Sequence, residues 1–129
     1  VKFGTLEYFQ KVAEAANANE DMKKTNMSMT MIYEITDMIM PDGKPSRHFV
    51  KFDKGQVVEV RVSPPGEDCD MFYGAKKEIF QRMFTGKLKG EDAMKTGWLK
   101  CNYKLGKVLR YGKAMDTYSK IIATVPAEY

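Results

Sequence analysis

His48, Cys69, Cys101 and the run Met27-x-Met29-x-Met31 are the residues of this chain best equipped for chemistry. His48 is the single histidine, and it alternates with Val50 and Phe52 in a strand-like stretch, a setting that suits a packed or hydrogen-bonded ring better than a general base. A nucleophilic Cys-His pair would need a thiol within hydrogen-bond reach of that ring, a proximity sequence does not show. The two cysteines have no CxxC or His-rich spacing, so they fit neither a zinc site nor a disulfide framework and read as small core residues. The alternate methionines match the thioether spacing of soft Cu(I) sites, yet a buried strand face demands the same spacing. A Met-rich Cu(I) protein is therefore an alternative, and no metal, cofactor or catalytic residue is assigned. The chain has no P-loop, dinucleotide fingerprint or metal-binding helix. Lys95, Lys100 or Arg110 could meet a carboxylate or phosphate head group, although each fits an exposed, solvated charge better. Asn26-Met27-Ser28 matches a glycosylation sequon by accident, since no secretion signal accompanies it.

With catalysis set aside, the run from Thr85 to Leu109 points to a container: an apolar pattern punctuated by Gly86, Gly90 and Gly97 with no plausible catalytic group in it. Ten methionines extend that reading, because Met is flexible and polarizable enough to reshape around guests of differing outline.

Composition agrees. Apolar residues make up 43% and charged residues 29% of 129 residues, ordinary values for one soluble globular domain with one core. No apolar run approaches the roughly 20 residues of a membrane span, and the start lacks a signal peptide's apolar stretch, so a cytoplasmic protein is the expectation. From Gly86 onward nine Lys or Arg stand against four acidic residues, while the part before is nearly balanced. That basic third suits transient contact with an anionic membrane surface; nucleic acid is not the expected partner, because the lysines lack the interleaved signature of a known module.

The elements that would position these residues follow from periodicity. Thr5 caps a first helix bearing Leu6, Phe9, Val12, Ala13 and Ala16, which fades near 17–19. From Asn26 the period is two, with Met27, Met29, Met31, Tyr33 and Ile35 on one side of a strand. Pro41-Asp42-Gly43 turns the chain into a second strand through His48, Val50 and Phe52, and Asp53-Lys54-Gly55 makes a tight hairpin to Val58, Val60 and Val62. Ser63-Pro64-Pro65-Gly66 ends this meander, and a fourth strand runs from Asp70 to Tyr73. Ile79, Phe80, Met83 and Phe84 share a short helix closed by Gly86, and a loop or helical turn near 92–96 leads to a fifth strand, 98–103. The final helix, about 105–123, shows two apolar stripes: Leu105, Val108, Leu109, Gly112, Met115 and Ile122, then Tyr111, Ala114, Tyr118 and Ile121. The expected architecture is α+β: a five-stranded, mostly antiparallel sheet with helices packed on one face.

This order of elements resembles the sterol carrier protein type 2 family of non-specific lipid-transfer proteins, with the similarity running from about Ile32 to Ala114. Its pieces are Ile35-Thr36-Asp37 with Gly43, Val50-Lys51-Phe52 with Gly55, Asp70, Phe80-x-x-Met83-Phe84-Thr85-Gly86-Lys87-Leu88, Ala93-Met94, Gly97-x-Leu99-Lys100 and Leu105-Gly106. The chain departs from the pattern at Met94-Lys95-Thr96, where aromatics and a glutamine are common, and at His48, where a strand aromatic is common. Its terminal Ala127-Glu128-Tyr129 is not a peroxisomal address.

The resemblance implies an apolar tunnel between sheet and helices that takes a fatty-acyl, sterol-like or other lipid without covalent chemistry. Phe9, Met29 and Met31 would line it from the first helix and strand. Phe80, Met83, Phe84, Met94 and Thr96 would do so from the middle of the chain, and Leu105, Val108, Leu109, Gly112, Met115, Tyr118 and Ile122 from the final helix. That helix would be a movable cover, and a charge introduced at Met83 or Leu109 would abolish binding. Two further arrangements stay open: an accessory domain that presents an acyl substrate to an enzyme, and a homodimer paired through the tyrosine stripe.

Overall fold

The computed structural model describes all 129 residues. Helix α1 (Leu6–Asn17) starts where the Thr5 hydroxyl accepts from the Tyr8 N–H at 3.2 Å, and it buries Tyr8, Phe9, Val12, Ala13 and Ala16. A second helix, α2 (Glu20–Lys24), is not legible in the periodicity: five residues span barely more than one turn, and only its Asn19 cap, accepting from the Met22 N–H at 2.9 Å, signals it. It delays the start of the first strand from 26–27 to Met29.

Five strands follow in two blocks. These are β1 (Met29–Ile39), β2 (Pro45–Asp53) and β3 (Gln56–Val62), then β4 (Met71–Ala75) and β5 (Lys100–Tyr103). Helices α3 (Lys77–Phe84) and α4 (Gly90–Lys95) lie between β4 and β5, and α5 (Leu105–Thr124) ends the chain. The sheet order is β3-β2-β1-β4-β5, antiparallel except for the parallel β1–β4 pair. The hairpin at Lys54 and Gly55 has both residues at positive φ, 50° and 81°, as its two-residue connection requires.

The parallel pair forces the chain to cross from β3 at the edge to the far side of β1. Residues 63–70 make that crossing over the outer face, held by Arg61, whose guanidinium donates to both Glu67 carboxylate oxygens (2.9 and 2.7 Å) and lies 4.1 Å from the Phe49 ring centroid. Ile32 and Phe49 are thereby buried without any helix above them.

On the inner face one cross-strand row runs Val62, His48, Tyr33, Tyr73, Cys101, and the next runs Val60, Val50, Met31, Met71, Tyr103. Helices α1, α2, α3 and α5 cover this face. The expected Val58 departs from the inward set. A β-bulge between Lys51 and Phe52 skips it, so Val57 packs inward opposite Phe52 while Val58 is exposed. The two termini meet: Lys2 bridges Glu128, and the Phe3 ring stacks on Tyr129 at 4.8 Å.

Helix α5 carries a kink at Tyr111 (φ −115°, ψ 17°). Its buried residues, Ala114, Tyr118, Ile121 and Ile122, all lie beyond that point. Periodicity assigns this helix two apolar stripes; in the folded chain the second faces the core, and the start of the first faces outward. No helix of the protein is long and apolar enough to cross a membrane.

Candidate functional site

The space between the inner sheet face and the helices is where the expected site residues converge, though not all of them. Phe9, Met29, Met31, Phe80, Tyr118 and Ile122 are buried in one continuous core, and Met83, Phe84, Val108 and Met115 are half-buried against it. Gly112 is half-buried just past the kink. The remaining expected residues lie outside. Leu105 and Leu109 are 60% and 76% exposed, and Met94 is 41% exposed. Thr96 is exposed, and its hydroxyl donates to the carbonyls of Asp92 and Ala93 at 3.1 Å, closing α4. For Leu105 and Leu109 the side that meets the core depends on the rotation of α5, set by the packing of Tyr118 and Ile121 further along, and in α4 it is Ala93 that is buried in place of Met94.

The interior has two ends. Met22, Met27, Met29, Met31 and Met71 are all buried at one end, where Met29 pairs opposite Phe52 and Met31 opposite Val50 and Met71. Alternation finds Met27, Met29 and Met31, whereas Met22 hides in the five-residue helix. Aromatic rings dominate the other end: Phe3 contacts Tyr8, Phe80 and Phe84, and the Phe9 ring lies 5.3 Å from Tyr8, 5.4 Å from Tyr33 and 4.9 Å from His48. Phe3 precedes the cap of α1, in a stretch too short for any pattern, and reaches the core only because the termini pair.

Three polar rings thus surround Phe9. Ser46 Oγ donates to the Gly4 carbonyl at 2.9 Å, so in its 3.4 Å contact with His48 Nδ1 the ring N–H is the donor. The lone pair of the neutral ring then sits on Nε2. That atom and the Tyr8 hydroxyl are buried without a hydrogen-bond partner. Burial lowers the His48 pKa to about 4, and burial likewise pushes the phenols of Tyr8, Tyr33, Tyr73 and Tyr118 upward. The result is an uncharged, largely apolar interior dotted with neutral hydrogen-bonding groups.

Nucleophilic chemistry finds no assembled pair here. Cys101 lies in the same inner row as His48 but three strands away, about 14 Å at normal strand spacing. Burial raises both thiols, which lowers their thiolate content. No cluster of three His, Cys, Asp or Glu side chains is arranged to hold a metal ion. The Cys101 thiol instead lies 3.4 Å from the Met71 sulfur, and the Tyr33 hydroxyl 3.5 Å from that of Met31.

The principal surface hollows lie elsewhere. One of about 760 Å³ sits between the β1–β2 turn and Pro64-Pro65, and one of about 520 Å³ lies beside Trp98. None of the principal hollows is lined by a residue of the expected tunnel, and the protein's own side chains occupy the space between sheet and helices.

The arrangement of a five-stranded sheet, one parallel pair and a helical cover recurs among solved structures. A crystal structure of sterol carrier protein 2 matches with a TM-score of 0.78 over 97% of this chain and 100% of its own, at 15% identity. The fold is that of sterol carrier protein 2. A solution structure of a conserved hypothetical protein from Thermus thermophilus matches equally well, with a TM-score of 0.78 over 98% of this chain and 92% of its own at 15% identity. The sterol carrier protein 2 fold also matches part of a stereoselective inverting sec-alkylsulfatase from Pseudomonas (TM-score 0.53, 16% identity), over 83% of this chain but 15% of the sulfatase. No family model matches the chain, and no curated protein sequence matches it.

Proposed function

We propose that the protein binds a lipid, fatty-acyl, sterol-like or of another class, without covalent chemistry, between the inner sheet face and the helices, for transfer or sequestration. The observation that carries this reading is the end-to-end match to the sterol carrier protein 2 fold. The methionine end of the interior supports it: five buried thioethers can rotate to new positions at small cost, where branched side chains would resist. Each methylene moved from water into such an interior contributes roughly 0.8 kcal/mol, so about ten offset typical association costs and leave micromolar binding or better. The guest would take the place of side chains that now meet one another, with Met29, Met31, Phe80, Met83, Phe84, Met115, Tyr118 and Ile122 around it. The kink at Tyr111 supplies the hinge on which the cover moves.

Mass spectrometry of the purified protein under conditions that retain non-covalent ligands tests this. Lipid adducts, or uptake of a fluorescent fatty acid that an unlabelled one displaces, are the expected result. Protein that stays free of lipid and takes up no fatty acid, sterol or phospholipid overturns it. A second reading, presentation of an acyl substrate to an enzyme, is favoured by the sulfatase match, where this fold is a minor part of a larger catalyst. It predicts adducts that leave only when a partner enzyme is present. Retained copper in the same spectra would support the thioether alternative.

A further inference from the structure

The first two turns of α5 have an unusual orientation for an apolar helix. Leu105 and Leu109, one turn apart, are 60% and 76% exposed, on the side opposite the core-facing Ala114 and Tyr118. Lys104, Arg110 and Lys113 flank them, Lys107 lies on the sheet-facing side, and no acidic residue occurs from Lys104 to Met115. Val108 and Tyr111 are half-buried against the core, and beyond them what holds this segment to the sheet is polar. Lys104 Nζ lies 3.0 Å from Asp68 and 3.6 Å from Asp70, and Lys107 Nζ lies 3.9 Å from Asp70 and donates to the Ser28 carbonyl at 3.0 Å. Lys104 and Asp68 are well exposed and Lys107 is half-buried, so the ion pairs are weak and readily exchanged for another anion. Arg110 and Lys113 have no carboxylate within ion-pair distance.

We propose that this segment docks on an anionic lipid bilayer, with Leu105 and Leu109 entering the interface and Lys104, Arg110 and Lys113 meeting lipid phosphates. Charge complementarity selects that occupant. A second copy of the chain would bring like-charged flanks together around only two leucines, and a nucleic acid would leave the leucines unused. A bilayer rewards both halves of the pattern, with each cation near an anionic surface contributing about fivefold to partitioning. Docking exchanges Asp68 and Asp70 for lipid phosphates and releases the polar tether. The Asp70 carboxylate keeps its bond from the Thr30 N–H (2.9 Å), so the sheet stays intact while the segment ahead of Tyr111 keeps only its apolar contact through Val108. In its consequence for traffic the inference rests on the lipid-carrier reading; the docking itself does not.

Co-sedimentation with phosphatidylcholine vesicles, with and without phosphatidylserine, is the test. The protein is expected to bind the phosphatidylserine vesicles alone and to lose binding as salt rises. The Leu105→Asn/Leu109→Asn double variant should bind about tenfold or more weakly with an unchanged Tm, and Lys113→Glu about fivefold or more weakly. Equal binding to neutral vesicles, unchanged binding by both variants, a dimer in equilibrium sedimentation that the double variant dissolves, or retention of duplex DNA in place of vesicles would each overturn the proposal. Uptake of a fluorescent fatty acid without vesicles reads the carrier function separately. Fatty-acid uptake without vesicle binding sinks the docking surface alone, and vesicle binding without uptake sinks the carrier alone.

Discussion

His48 shows how a single residue's chemistry is overruled by its surroundings. An exposed imidazole titrates near 6.5, but this one is 1% exposed, sandwiched against Phe9, and its pKa falls to about 4 because burial penalises the charged ring. The folded state resists protonation that the unfolded chain accepts, so the stability linked to this ring is fully present above about 6.5 and is lost as pH falls toward 4. The full effect is on the order of 3 kcal/mol. Replacing the ring with an aromatic that does not titrate should remove that dependence. His48→Phe is expected to flatten the decline of Tm between about pH 6.5 and 4, as followed by circular dichroism, and a variant that declines as steeply as the parent would refute the assignment. Identity and alternation flag His48 as a packed residue; its unpartnered Nε2 depends on Ser46 already donating to Gly4, a contact 42 residues apart in sequence.

At the scale of elements, two departures from the periodic reading have the same cause. In β3 the bulge at Val58 shifts the inward set to Val57, and Asn17 at the end of α1 secures it: its side-chain amide donates to the Val57 carbonyl at 3.0 Å, and its carbonyl accepts from the Val57 N–H at 2.7 Å. One side chain here acts as the missing neighbour of an edge strand. Asn17→Ala removes both bonds and is expected to lower stability by about 2 kcal/mol in urea unfolding, with exchange of the β3 amides rising ahead of β1. In α5, periodicity finds two stripes and no reason to prefer either. The kink at Tyr111 separates a first half held by lysines and the half-buried Val108 from a second half packed through Tyr118, whose ring meets Phe52 edge-on at 4.8 Å. A bulge and a kink each move the phase of an element by a fraction of a turn, which no count of apolar residues reveals.

For the whole molecule, those phases sort the expected site residues into two groups with different jobs. Met83 packs against the core, and Leu109 stands in solvent. Under the carrier reading, Met83→Lys places a charge at the border of the interior and should weaken fatty-acid uptake in solution by about tenfold or more. Leu109→Lys should leave that uptake unchanged, contrary to the expectation from sequence that a charge at either position abolishes binding. Titration of both variants with a fluorescent fatty acid decides the matter, and equal loss at the two sites would return Leu109 to the lining. The molecule also closes on itself at Lys2 and Glu128, which brings Phe3 over Tyr8, Phe80 and Phe84 and completes the aromatic end of the interior.

The α+β class, the five strands with their turns, and the inward methionine face of β1 are legible in the order of residues, because local periods, caps and Gly or Pro punctuation act within a few positions. So is the packed setting of the single histidine. Three outcomes wait for the folded chain: β1 and β4 run parallel, His48 and Cys101 stand three strands apart, and Leu105 and Leu109 face out while Tyr118 faces in. Those outcomes depend on which surfaces meet across dozens of intervening residues, and burial is a property of the pair of surfaces, not of either segment alone.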